Sequence, residues 1–271
     1  MTDGYEEVRL GEIPRQVYDE ICSWLKHYAV GLLGLNSDRD DDVPKFIGSA
    51  TLVTAAQAHY ILTAAHVWNE LCKFDRVGLA MSEYESRFSL ERKSLAPTVL
   101  RGPTPGQWGP DLAFLRIPPS IVGTISAHKA FCNLSKQKEA DPALDHNLGV
   151  WAFVGAPAVD SHLEPPTIAL QCGVFFSGVD AIYDLDGYDY FDVGIDLESA
   201  PQFRKSFGGV SGGGLWHLIL TRTSGGSGLS FARSFEGVAF YQSPEKEGRR
   251  FIRCHGRKSI FNAGLAALGV A

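Results

Sequence analysis

Short runs of apolar and β-branched residues, broken by glycine, proline and polar clusters, recur along the chain and read as β-strands. In the first half they fall at residues 29–35, 45–53, 59–63, 76–81, 98–101 and 111–117. A second series occupies 149–154, 167–174, 188–196, 214–220, 237–241 and 251–255, with a glycine- and serine-rich turn at 224–228. Six antiparallel strands closed on themselves leave no exposed edge. The predicted fold class is therefore all-β, with two antiparallel six-stranded β-barrels. Helical spacing appears at two places. Val17, Ile21, Trp24 and Tyr28 follow Pro14, which suits a first helical turn, and predict a helix over 14–25. Ile260, Phe261, Leu265 and Leu268 predict a second over 258–268. Residues 118–147 carry Pro118-Pro119, the polar stretch Ser135-Lys136-Gln137-Lys138 and little periodicity. The expected organisation is an N-terminal helical extension (1–27), a first barrel (28–117), a connector (118–147) and a second barrel with a terminal helix (148–271).

Composition narrows the class. A hydrophobic content of 45% is ordinary for a globular protein. No apolar run approaches about 18 residues, so no membrane span is expected. The start, Met1-Thr2-Asp3-Gly4-Tyr5-Glu6-Glu7, has neither the basic end nor the apolar centre of a signal peptide. A net charge of −6 argues against nucleic-acid binding, which wants a basic stripe. Arg249, Arg250, Arg253, Arg257 and Lys258 read as a solvated strand end. The five cysteines are odd in number and scattered, which suits reduced thiols and a cytoplasmic location. No Cys/His cluster has zinc-like spacing, so neither metal nor cofactor is expected.

Three segments carry chemistry. Leu62-Thr63-Ala64-Ala65-His66 ends a strand-like run. Gly109-Pro110-Asp111 opens another. Gly208-Gly209-Val210-Ser211-Gly212-Gly213-Gly214 is a glycine-rich turn around a serine. A serine hydroxyl is a weak nucleophile and needs an adjacent base, and the base needs a third group to fix its tautomer. Ser211, His66 and Asp111 are the candidates for those roles. The glycines permit a tight turn that aims the N–H groups of Gly209 and Ser211 at one spot, an oxyanion hole.

Together the segments resemble the trypsin/chymotrypsin-like serine peptidases, and bacterial members without disulfides more than digestive trypsins. The pattern Thr-Ala-Ala-His, then Asp-Leu-Ala, then Gly-x-Ser-Gly-Gly is matched at His66, Asp111 and Ser211, and the resemblance spans roughly residues 28 to 268. It implies two chymotrypsin-type barrels with the site in the cleft between them. The activity implied is that of an intracellular endopeptidase acting on a protein or peptide substrate through an acyl-enzyme. It also suggests pocket residues. Counting back six from the serine gives Lys205 at the pocket base. Phe240, Tyr241 and Gln242 fall on the strand that would pair with substrate backbone. His255, on the next strand, would face the same pocket.

The departures matter as much. Secreted relatives have aspartate just before the serine, where it pairs with a newly cut N-terminus; here that residue is Val210. Such a switch cannot operate. The oxyanion loop is either ready-made or ordered by something else, such as an activating protein partner. A latent effector switched on by a partner, and a catalytically silent binding module on the same fold, are the alternatives to a constitutive enzyme.

Overall fold

Most of the strands are buried on both faces, which is why so many read as continuous apolar runs rather than clean alternations. The computed structural model describes residues 5–8, 10–36, 44–81, 88–102, 108–139, 148–157, 162–164, 167–170, 172–198, 207–223 and 229–270. A short strand β1 (Tyr5–Glu7) comes first. Then follow β2 (Ala29–Leu35), β3 (Lys45–Ala55), β4 (Ala58–Thr63), β5 (Arg76–Ala80), β6 (Phe88–Glu91), β7 (Ala96–Arg101), β8 (Asp111–Arg116) and β9 (Cys132–Asn133). The later strands are β10 (Val150–Gly155), β11 (His162–Glu164), β12 (Thr167–Ala169), β13 (Gly173–Ser177), β14 (Val179–Leu185), β15 (Tyr188–Asp196), β16 (Gly214–Thr223), β17 (Leu229–Gln242) and β18 (Arg249–His255). The helices are α1 (Arg15–Lys26), α2 (Ala65–Leu71), α3 (Pro119–Ser126), α4 (Leu134–Glu139) and α5 (Leu265–Ala267), the last preceded by a π-helical stretch, Lys258–Gly264.

Two large sheets and a separate two-stranded one, β11–β12, result; all are antiparallel but for the short β3–β9 pairing, and one large sheet forms a half-barrel. The first runs β6-β5-β2-β3-β4-β8-β7. The second runs β13-β10-β16-β17-β18-β15-β14, with β1 added to β16. Among the described residues no pairing joins β6 to β7 or β13 to β14, so both paths are open where closed barrels were expected.

Alternate residues explain the layers. One face of the first sheet, with Leu32, Ala50, Leu52, Ile61, Ala113 and Leu115, packs against Val67, Trp68 and Leu71 of α2. Its other face, with Val53, Leu62, Leu112 and Phe114, joins Ile21 and Leu25 of α1, Ile260 and Phe261, and Val154, Trp216 and Phe235 of the second sheet. A third core, including Phe153, Val193, Leu215 and Ile252, lies on the second sheet alone. The centre of the molecule is thus a shared core between sheets, and burying it contributes about 25 cal/mol for each Å² of apolar surface.

Several expectations need correction. The connector holds α3, β9 and α4, the last ending at Glu139. Residues 167–174 are not one strand: β12 pairs with β11, and β13 pairs with β10. The hairpin β14–β15 turns at Asp186-Gly187, both with positive φ (53° and 85°), and its outer strand was unanticipated. Among the described residues no helix is long and apolar enough to cross a membrane. All five cysteines are free thiols.

Candidate active site

β4 ends at Thr63, and the chain turns at once into α2. His66 therefore sits in the first turn of a helix, not on a strand end as the sequence suggested. The apolar residues Val67, Trp68 and Leu71 clamp that helix to the first sheet and leave His66 on its exposed side. Asp111 opens β8, next to β4 in the sheet. Its Oδ1 accepts a bond from the His66 backbone N–H at 2.8 Å, and its Oδ2 lies 2.6 Å from His66 Nδ1. One carboxylate thus fixes both the backbone and the ring of the histidine. The side chains are 48% and 20% exposed, so the imidazole reaches solvent while the carboxylate is mostly sheltered. Burial works to raise the Asp111 carboxyl, but the hydrogen bonds and charge of His66 outweigh it and hold it below the usual carboxylate range.

Ser211 arrives from the second sheet in the turn before β16. Gly212 and Gly209 have φ of 93° and 96°, a region that favours glycine. A side chain on Gly212 would also run into the Ser49 carbonyl and the Thr63 hydroxyl. The turn is pinned to β17 by bonds from Gly212 N–H to Ala239 O (2.7 Å) and from Ala239 N–H to Gly213 O (2.9 Å). Phe207 and Val210 bury their side chains in the core of the second sheet. Val210 thereby gives the turn an apolar anchor.

Ser49 joins the two halves. Its N–H donates to Ser211 O at 2.9 Å, and its hydroxyl donates to Gly209 O at 2.7 Å. The same hydroxyl accepts from Ala156 N–H at 2.8 Å, and the Ser49 carbonyl accepts from the Thr63 hydroxyl at 2.8 Å. This residue was missed in the sequence. The available signal was two hydroxyls, Ser49 and Thr51, two apart in a buried strand, where polar groups need partners.

The α2 helix and the Ser211 turn both approach Gly48. A Cβ placed there would stand 2.9 Å from a methyl of Val67, the neighbour of His66, and 3.2 Å from Ser211 O. Among the described residues no hydrogen bond joins the Ser211 hydroxyl to His66, and none takes up the N–H of Gly209 or Ser211. Those two N–H groups are the donors the sequence assigned to an oxyanion hole.

The pocket residues fare differently. Lys205 lies outside the described residues. Phe240 is buried, with its ring stacked on His255 at 4.3 Å. Gln242 accepts Phe207 N–H at 2.7 Å, so its side chain braces the segment before Ser211. His255 is wholly buried and accepts the Asp111 N–H at 3.0 Å; it does not face an open pocket. Tyr241 is half-buried, its ring 6.3 Å from that of Phe251.

No family model matches the chain, and no curated protein matches it. It is similar to a solved structure from work on aromatic interactions in the coupled folding and binding of the intrinsically disordered Sesbania mosaic virus VPg protein. Identity is 15%, coverage is 96% of this chain and 94% of that one, and the TM-score is 0.43. A likeness that distant carries no argument about the site.

Proposed function

We propose that the chain is a serine endopeptidase, and that its two sheets are the halves of a chymotrypsin-type double barrel. The observation that carries the reading is the double grip of Asp111 on His66, through Nδ1 and the backbone N–H together. With Nδ1 bonded to a carboxylate, Nε2 is left as the base. In the reaction the Ser211 hydroxyl passes its proton to His66 Nε2 while Oγ forms a bond to the scissile carbonyl carbon. The resulting oxyanion accepts from the Gly209 and Ser211 N–H groups. His66 then protonates the leaving amine as the C–N bond breaks, and water repeats the sequence to free the acid. On the side away from β18, β17 pairs with β16 only as far as Val238, so Tyr241 and Gln242 have no strand partner on that edge among the described residues. An extended substrate would add there as a strand. Five free thiols support a reducing, cytoplasmic setting.

The lack of a Ser211–His66 hydrogen bond among the described residues favours one second reading, a latent enzyme whose hydroxyl and imidazole pair only when a protein partner binds. Labelling with a fluorophosphonate probe separates the two. A constitutive enzyme is labelled at Ser211 without additions, and a latent one only with its partner. A chain that resists the probe in every condition, yet folds, would sink both and leave a silent binding module.

A further inference from the structure

Asp111 is gripped from behind by the second sheet. β4 ends opposite Ala113, so the Asp111 N–H has no strand partner there. The imidazole of His255, on β18, takes that place through Nε2 at 3.0 Å. The ring is stacked on Phe240 with 23° between planes, and Tyr190 lies 5.2 Å away. The preceding residues close the same contact. A Cβ on Gly109 would stand 2.5 Å from His255 Cε1 and 2.8 Å from Nε2, so a side chain there would drive the segment off the ring. Trp108 lies edge-on to Tyr183 and Tyr190, and the Arg253 guanidinium sits 3.7 Å over it. Arg253 is itself fixed by a buried double bond set to Asp192, at 2.7 and 2.8 Å. The segment from Trp108 to Asp111 is a plug of the first sheet seated in a socket of the second.

Because Nε2 accepts from a peptide N–H, the ring proton belongs on Nδ1. Burial pushes the imidazole down to about 3, with the Asp111 charge working against it. His255 therefore stays a neutral acceptor wherever a histidine base can work.

We propose that His255 is a positioning residue: its Nε2 fixes the Asp111 main chain and so the direction of the carboxylate that orients His66. The inference rests on the reading of His66 and Asp111 as active-site groups. His255 acts only through Asp111 and touches no reacting atom.

The test uses the full chain with three variants. His255→Phe keeps a stacked ring and removes the acceptor. His255→Gln keeps an acceptor near the position of Nε2. Gly109→Ala forces the plug away from the ring. The first readout is the NMR resonance of the proton shared by His66 Nδ1 and Asp111, which needs no turnover. The second is kcat and KM measured separately. We expect His255→Phe and Gly109→Ala to weaken the resonance and lower kcat by about tenfold or more, with KM within about twofold. His255→Gln should recover most of both. A folded His255→Phe with an unshifted resonance and parental kcat overturns the proposal, as does a folded His255→Gln no better than His255→Phe. If His255→Phe does not fold, an unshifted resonance in Gly109→Ala overturns it equally. A parent chain without that resonance overturns it outright. Failure of the peptidase reading shows separately, as a parent that never labels with the probe.

Discussion

The two corners of the candidate site are built in opposite ways. The His66–Asp111 corner is held by short side-chain bonds to an ionised group and is half open to water. The Ser211 turn is held by main-chain bonds to Ala239 and Ser49 and by the buried side chains of Phe207 and Val210. Charge fixes the first and burial the second. Fully burying a side chain such as Val or Phe contributes about 1.5–3 kcal/mol, comparable to one charge-assisted bond. The difference lies in what disturbs them. Protonation loosens the first corner and leaves the second untouched, so a turn built this way needs no ion pair to take shape.

Ser211→Ala should break the comparison most completely. Peptidase turnover should fall by roughly three or more orders of magnitude, with thermal stability unchanged, because no bond from the Ser211 hydroxyl to a described residue is lost. Parental turnover in that variant would remove Ser211 as the nucleophile. Asp111→Asn should come next. It keeps the shape but replaces one oxygen by a donor, so the Nδ1 and N–H bonds of His66 compete for a single acceptor. We expect a loss of about a hundredfold or more in kcat, read against intact circular dichroism.

Ser49→Ala sharpens the other side. It leaves the main-chain bond to Ser211 O in place but strands the buried Ala156 N–H and removes the bond to the part-buried Gly209 O. We expect about 1–3 kcal/mol of lost stability in denaturant melts, with activity reduced less than in Asp111→Asn. If activity disappears while stability holds, the hydroxyl has a direct part in the chemistry.

Acid should separate the corners without mutation. The neutral form of His255 is favoured in the native state, where it titrates near 3, whereas a free histidine titrates near about 6.5. Below about 6.5 the unfolded chain binds this proton and the folded chain does not, so stability falls as pH drops toward 3, by at most about 1.4 kcal/mol per pH unit. Asp111, held below its ordinary value, adds stability above the usual carboxylate range that is lost as pH falls through its lowered pKa. Denaturant midpoints should show a shallower slope between pH 6 and 4 in His255→Gln, by that order of magnitude. An unchanged slope would mean that His255 is not buried neutral.

The smallest single effect is expected from trimming only the first residues. Removing residues 1–11 takes away β1 and the buried Val8 but leaves α1, and should lower the melting temperature by a few degrees. Removing residues 1–26 also strips Ile21 and Leu25 from the shared core and should prevent cooperative folding. Equal melting of the two forms would show that the helix adds nothing.

The candidate site stood out in the sequence because its motifs are dense in residues with few structural alternatives. Glycines around Ser211, and a histidine and an aspartate beside apolar runs, stand out locally. The strand series was legible for the same local reason, and β15 follows the predicted 188–196. The losses are instructive. Asp186-Gly187 between alternating residues is a hairpin signal that was present and passed over. The α2 helix is seven residues long, too short for its spacing to outweigh the strand before it. The tasks of Ser49, Gln242 and His255 depend on partners 107 to 160, 35 and 144 positions away, and no window on the sequence contains both ends. Two of the expected pocket residues went the same way: Phe240 and His255 are apolar or neutral enough to be core, and the core is where they are.

The pairing of β1 with β16 joins Tyr5 to Thr223. On the ribosome, residues 5–7 emerge roughly two hundred residues before their partner strand exists. At about 5–20 residues per second that is a wait of roughly 10–40 s. The whole first sheet can be synthesised in that interval, so Tyr5–Glu7 are among the last residues to find their place.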